Sequence, residues 1–338
     1  MINVRDEGII LEKTENEFEN QAVLNPACIK VDGVTHMLYR AVRLGDFVSS
    51  IGHCILDGAK VIKRFDKPVL YPEFDYEKKG VEDPRVVLFE GTYYIFYTAY
   101  DGVNALIAYA TSHDMATFKK HGVISPTISY AEAARLFCQP NVREKYFLFD
   151  AYIRDRAGQD ILLWEKDAFM FPRKINGKLA MVHRILPGIQ IIYFDDFKDL
   201  TNDYWRGYLK KFAGNILLDP CFDFESRNIG GGCPPIETED GWLLIYHAVE
   251  DSPGGRVYHA AAALLDLDDP SKVIGRLRYP LFSPEKSWEK KGTVNNVVFP
   301  TGAVLNEGRL YIYYGAADEL IAGKSLDPEE LLRELKKI

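Results

Sequence analysis

The chain has 338 residues, with 41 Lys and Arg against 49 Asp and Glu, giving a formal charge of −8. Apolar residues make up 47% and charged residues 27%, a globular balance in a chain long enough to bury a core without disulfides or structural metal. The acidic excess argues against a polyanion-binding surface, so nucleic acid is not an expected partner.

The chain begins MINVRDEGIILEKTENEFEN, which is charged throughout and lacks the apolar stretch of a signal peptide. No apolar run approaches the roughly 18 residues of a membrane span, so the expectation is a cytoplasmic protein with no membrane partner. The five cysteines, Cys28, Cys54, Cys138, Cys221 and Cys233, form no CxxC pair and are odd in number, as in a reduced protein. None of the seven histidines is spaced from a cysteine pair as a zinc ligand would be, so no metal site is expected.

A repeat then runs along the chain. Five segments share a Gly-containing turn followed by an aromatic strand with a polar or small end: VDGVTHMLYRAV (31–42), FEGTYYIFYTAY (89–100), INGKLAMVHRIL (175–186), EDGWLLIYHAV (239–249) and NEGRLYIYYGAA (306–317). The turn glycines, Gly33, Gly91, Gly177, Gly241 and Gly308, lie 58, 86, 64 and 67 residues apart. Asp-Gly, Glu-Gly and Asn-Gly steps between apolar runs mark hairpins. A proline precedes each glycine, in Asn25-Pro26, Asp83-Pro84, Phe171-Pro172, Pro234-Pro235 and Phe299-Pro300, and is expected to open a strand where no ladder donor is lost.

Aromatic strands repeated in this way predict an all-β, five-bladed propeller, with residues 1–338 as one domain. A β-sandwich with coincidental hairpins is the alternative. The long 86-residue spacing holds extra residues at about 128–160, partly helical in character and expected over one face. At the C-terminus Asp327 can cap a helix over about 327–337, with Pro328 at its first position and Glu330 at its third.

Inner strands of a propeller converge on a channel, so the residues before the prolines are expected at one mouth. Asp83, in GVEDPR, is the conspicuous acid there, and the strand ends add Arg40, Arg43, His183, Arg184, His247 and Asp318. Cations outnumber carboxylates in that set, which suits an anionic ligand and one acid. Taken singly, each residue also has a bland reading: an Asx turn at Asp83, a satisfied core histidine at His247, a structural ion pair at Arg184. A propeller acting only as a binding module would lack a poised acid.

GVEDPR with YYIFYTAYDG, KDAFMFPRKINGKLAMVHR, ESRNIGGGCPPIETEDGWLLIYHAV, AAALLDL, and NVVFPTGAV with YIYYGAAD resemble glycoside hydrolase family 130, in order and from about Asn25 to Asp318. The resemblance implies a five-bladed propeller and inverting phosphorolysis of β-mannosides to α-mannose 1-phosphate. It makes Asp83 the general acid, directly or through a sugar hydroxyl. Lys166, Arg184, His247 and Tyr258 would hold phosphate, and Asn25, Arg40 and Asp318 would contact the sugar at the cleaved bond. The implied partners are a β-mannoside and inorganic phosphate as co-substrate, with no other cofactor, and a homo-oligomer is possible. The alternative within the family is a β-1,2-mannosidase, needing a second carboxylate as base, for which Glu225 is the candidate. Asn228, where the family pattern leads one to expect Lys, and the long 128–160 segment are departures that bear on the acceptor sugar.

Overall fold

Two-residue turns set the local pattern of the chain. Asp32-Gly33, Glu90-Gly91, Asn176-Gly177 and Glu307-Gly308 have positive φ at both positions, the turn geometry whose twist matches the flanking strands. Gly241 departs from the expected role. The turn before it is made by Glu239 and Asp240, and Gly241 itself pairs with Thr238 as the first residue of its strand.

The computed structural model describes residues 2–158 and 160–337; Met1, Gln159 and Ile338, which fall in the expected 1–338 domain, and Gln159 also in the 128–160 segment, lie outside the described residues. Among the described residues the strands form five antiparallel meanders, four of them of four strands and one of five. The first runs through Ala22–Val31, Val34–Val42, Ser49–Asp57 and Lys60–Arg64, and the second through Gly80–Phe89, Thr92–Tyr100, Ala105–Ser112 and Lys119–Val123. One parallel pairing, Ser49 with Gly80, joins these two. The third comprises Lys166–Met170, Leu179–Arg184, Ile189–Phe194 and Ile216–Leu218. The fourth comprises Asn228–Gly231, Gly241–Ser252, Gly255–Leu265 and Val273–Arg276, with the short strand Ile236–Thr238 added beside Gly241–Ser252. In the fifth, Val298–Asn306, Arg309–Ala316 and Leu320–Leu326 are completed by Arg5–Leu11 from the start of the chain.

Neighbouring meanders pack face to face. Phe169, Ile229, Trp242 and Tyr246 fill the space between the third and fourth, and Met37, Tyr39, Val304 and Tyr313 fill that between the first and fifth. Contact passes from each meander to the next, and from Val298–Asn306 back to Ala22–Val31.

The prolines do not open strands. Pro26, Pro84 and Pro300 lie inside their strands, each at a break in the pairing register. Pro172 follows its strand and Pro235 lies between two. A bulge removes the need for a ladder donor as effectively as a strand start does, which is why proline is tolerated there.

Two helices, Tyr130–Leu136 and Glu144–Ala157, occupy the 128–160 segment, the first capped by the Ser129 hydroxyl on Glu132 N. Tyr130, Ala133, Tyr146 and Ile153 anchor them on the third meander. Asp327 caps the terminal helix Pro328–Leu335 by accepting from Glu329 N. A further helix, Asn202–Leu209, which the repeat does not announce, buries Trp205 against the third meander.

Each meander is also accompanied by one fully buried glutamate: Glu19, Glu77, Glu165, Glu225 and Glu289. Four accept from a tyrosine in the second strand: Tyr39 at 2.7 Å, Tyr97 at 3.3 Å, Tyr246 at 2.7 Å and Tyr314 at 2.6 Å. In the third meander His183 stands at that place, with Nδ1 2.7 Å from Glu165. Arg64, Lys120, Arg276 and Lys324 supply a cation to the other four glutamates. The repeating aromatic of the sequence is therefore the partner of a buried acid.

Candidate active site

Bulges in the first strands of three meanders place the central side chains. Asn25, Asp83 and Asp167 have φ of 49°, 50° and 57°, and each sits at a register break: Leu24/Ala27, Glu82/Arg85 and Lys166/Phe169. Asn and Asp tolerate this left-handed conformation better than other side-chain-bearing residues. The second strands of the first, third and fourth meanders bring Arg40, Arg184 and His247 to the same end.

These residues line one cavity of about 480 Å³. All eight positions drawn from the sequence border it: Asn25, Arg40, Asp83, Lys166, Arg184, His247, Tyr258 and Asp318. Asn228 borders it too, as do Phe149, Tyr152, Ile153 and Arg156 of the helix Glu144–Ala157. The extra segment thus forms part of the wall.

Close approach requires small residues at two places. A Cβ at Gly315 would lie 2.2 Å from Asn25 Oδ1, and one at Gly230 would lie 2.3 Å from the His247 ring and 2.5 Å from Asp167 Oδ2. Glycine there lets the polar groups converge.

Asp83 Oδ1 accepts from Asn25 Nδ2 at 2.8 Å and lies 3.5 Å from Arg40 Nη1. Arg40 is held in turn by Glu82 at 2.7 Å and by Ser49 Oγ at 2.9 Å. Burial pushes the Asp83 carboxyl up, but Arg40, Lys166 and Arg85, with the Asn25 hydrogen bond, outweigh it and hold it below the usual range. Asp318 has the opposite balance. Burial raises it to about 6 in spite of Arg40 and Lys166, and Asp83 adds to the rise.

A second cluster lies beside the first. Asp167 is 2.8 Å from Arg184 Nη1 and 3.5 Å from Arg85 Nη2. Arg184 Nη1 also lies 3.2 Å from His247 Nε2, so that nitrogen accepts and the ring proton is on Nδ1. Burial, with Arg184 and Arg85 nearby, drives the His247 pKa far down, and the ring is neutral. Lys166 has no carboxylate within ion-pair distance among the described residues. Arg184 Nε and His247 Nδ1 are buried without a hydrogen-bond partner, as is the Asp167 Oδ2 acceptor beside them. Two orphaned donors beside two cations are what an oxyanion would satisfy.

Four residues singled out in the sequence lie elsewhere. Arg43 is on an exposed loop, paired with Asp46 at 2.5 Å. His183 is fully buried between Glu165 and the Tyr208 hydroxyl. Phe171, before the third proline, is in the apolar core. Glu225 accepts from Tyr246, Arg276 and the backbone N–H groups of Cys221 and Phe222, and does not line the cavity, which removes it as a candidate base. Conversely, Asp167 escaped the sequence reading because alanine follows it, although Lys166-Asp167 falls at the bulge that Glu82-Asp83 occupies one meander earlier.

Comparison with known proteins places this geometry. A family model described as beta-1,4-mannooligosaccharide phosphorylase matches residues 4–337. A 1,2-beta-oligomannan phosphorylase of Thermoanaerobacter sp. is 36% identical over 336 residues, covering 96% of this chain and 97% of that protein. A beta-1,4-mannooligosaccharide phosphorylase of Ruminococcus albus is 38% identical, over 52% of each chain. Among solved structures, the beta-1,2-mannobiose phosphorylase of Listeria innocua shares the fold with a TM-score of 0.73 at 24% identity, covering 99% of both chains.

Proposed function

The chain belongs to glycoside hydrolase family 130, and we propose on that footing that it is an inverting β-mannoside phosphorylase, with its five meanders as the blades of a propeller and the cavity at their shared end as its active site. The observation that carries the reaction type is the pair of unpartnered buried donors, Arg184 Nε and His247 Nδ1, beside Lys166. A hydrolase has no use for such an anion cradle. β-1,2-Linked mannosides are the favoured substrates: two relatives named for that linkage align over 96% and 94% of this chain, the β-1,4 relative over 52%.

In this reading Asn25, Arg40 and Asp318 orient the mannose at the cleaved bond, and Asp83 delivers a proton to the departing oxygen, directly or through a sugar hydroxyl. Phosphate, held by Lys166, Arg184, His247 and Tyr258, attacks the anomeric carbon from the opposite side as the C–O bond breaks. The hydrogen phosphate proton replaces the one Asp83 gives up, so the acceptor sugar leaves as an alcohol and α-mannose 1-phosphate remains. One protein acid suffices because phosphate is itself the nucleophile.

Electrostatics make the two substrates interdependent. Asp83 is held ionised by Arg40 and Lys166 in the free site. A phosphate dianion on Lys166 offsets that pull, raising the Asp83 pKa toward the range in which it can donate. His247, being neutral, contributes a directional donor, and the charge comes from Lys166 and Arg184.

The test is product analysis with a panel of manno-disaccharides, with and without inorganic phosphate. Mannose 1-phosphate appearing only with phosphate supports the reading. Free mannose released without phosphate overturns it, and Asp318 then becomes the first carboxylate to mutate as base.

A further inference from the structure

One wall of the cavity carries charge that the reaction as drawn does not use. Arg156, Arg227 and Arg256 all line it and all meet at one side chain, Tyr152 of the helix Glu144–Ala157. The Arg156 guanidinium lies 4.4 Å from the Tyr152 ring centroid and that of Arg227 5.6 Å. Arg256 Nη2 donates to the Tyr152 hydroxyl at 3.5 Å. With guanidinium groups packed on it, this ring is not a free platform for stacking a sugar; it is a post on which three cations are mounted.

Their charge is largely unanswered. Asp251, at 3.3 Å from Arg227, is the one carboxylate in ion-pair distance of the three among the described residues. The surrounding protein has a net charge of −8, so a cationic mouth stands out against it. Placement matters as well. Arg256 and Tyr258 project from the same face of Gly255–Leu265, two residues apart, which sets them about 7 Å from each other along the strand. The Arg256 side chain nevertheless reaches the Tyr258 side chain, so the cluster adjoins the phosphate set at Tyr258 and extends from there toward the mouth.

We propose that Arg156, Arg227 and Arg256, gathered on Tyr152, form a second oxyanion-binding site at the mouth of the cavity, distinct from Lys166, Arg184 and His247 within it. The inference rests on the phosphorylase reading. Its ligand is an oxyanion with two sources: inorganic phosphate captured on its way inward, or a phosphate or carboxylate carried by the acceptor sugar. Clefts of one sign concentrate counter-ions and speed their entry in a salt-dependent way. Guanidinium forks bind planar or tetrahedral oxyanions bidentately.

The experiment uses the full chain with Arg156→Gln, Arg256→Gln and the double variant, leaving Arg227 in its pair with Asp251. Both altered side chains are exposed, and thermal unfolding verifies that the variants fold; Arg→Lys at the same positions retains charge and serves as the rescue control. Phosphorolysis gives the phosphate KM at low and at moderate salt. Synthesis from mannose 1-phosphate gives the preference between mannose and mannose 6-phosphate or mannuronate as acceptor. If the site captures free phosphate, the double variant raises the phosphate KM about tenfold at low salt, with kcat little changed and the salt dependence flattened. If it reads the acceptor, the wild-type enzyme prefers the charged acceptor and the double variant loses that preference. If neither parameter moves, no second site exists. A wild-type enzyme whose turnover ignores phosphate sinks the phosphorylase reading itself, a different result from any of these.

Discussion

The Tyr246 hydroxyl donates to Glu225 Oε1 at 2.7 Å, and Arg276 reaches the same oxygen at 2.8 Å. The same arrangement recurs at Tyr39 with Glu19 and Arg64, and at Tyr314 with Glu289 and Lys324. Recurrence in meanders that carry no acid-base chemistry marks it as a device of the fold. Glu77, Glu225 and Glu289 each tie the loop ahead of their meander to the second strand and take up two backbone N–H groups of that loop, whereas Glu19 accepts from the Thr14 and Asn16 side chains instead.

Removing that carboxylate is therefore expected to act on stability. Glu225→Ala leaves Arg276 and the Cys221 and Phe222 amides without their acceptor, and breaking a buried pair costs about 3–5 kcal/mol. Glu225→Gln keeps the shape and most of the hydrogen bonds, and its kcat at temperatures where it stays folded is expected within a few-fold of wild type. Urea unfolding and initial rates read the two separately. A well-folded Gln variant with no turnover would return Glu225 to the chemistry.

Asp83→Asn is expected to fold, since the amide can still meet Asn25 and Arg40 keeps its bond to Glu82, but with some loss of stability at neutral pH because the carboxylate it replaces is held below its usual range. Turnover on an unactivated mannoside should fall by about 10²–10⁴-fold. An aryl mannoside with an acidic leaving group needs less protonation and should lose much less. Equal losses on both substrates would argue against general acid catalysis at this residue.

Lys166 and Arg184 separate binding from stability. Lys166→Ala orphans no carboxylate, because no ion pair to Lys166 exists among the described residues. Its expected signature is a phosphate KM raised well above any change in the sugar KM, with unfolding unchanged. Arg184→Ala removes the 2.8 Å partner of buried Asp167, so it should raise the phosphate KM and also destabilise by a few kcal/mol. Identical stability of the two variants would refute the pairing.

Asp318 carries a pH signature. Its carboxyl is raised to about 6 by burial, with Asp83 adding to the effect. The native state is therefore penalised once the group would ionise: there is no penalty below the unfolded carboxyl pKa, it grows as pH rises toward 6, and it is complete above that. Asp318→Asn removes that penalty, so the variant should be more stable than wild type at pH 8, by up to about 3 kcal/mol, and equal to it near pH 4. Thermal unfolding across this range decides it. A variant less stable at pH 8 would show that the Arg40 attraction dominates.

Much of this protein is legible in its sequence. The Gly turns and the aromatic strands after them state the fivefold β architecture, because turn chemistry and strand periodicity act over a few neighbouring residues. Asp83, Arg40, Arg184 and His247 could be singled out because each recurs at a repeated point of that pattern, and the Asp327 cap is likewise a local signal. Other features depended on contacts between meanders. Pro26 and Pro84 sit in bulges inside strands, and only the register of the neighbouring strand distinguishes a bulge from a strand start. Glu225 looked like a reagent until Tyr246 and Arg276, 21 and 51 positions away, were found around it. Asp167 joined the site through Arg85 and Arg184, which belong to other strands. The three arginines come together because a helix inserted between the second and third meanders lies over the fourth. Local sequence fixes which conformation a segment prefers; burial and charge pairing among segments distant in the chain decide which polar groups remain free to do chemistry.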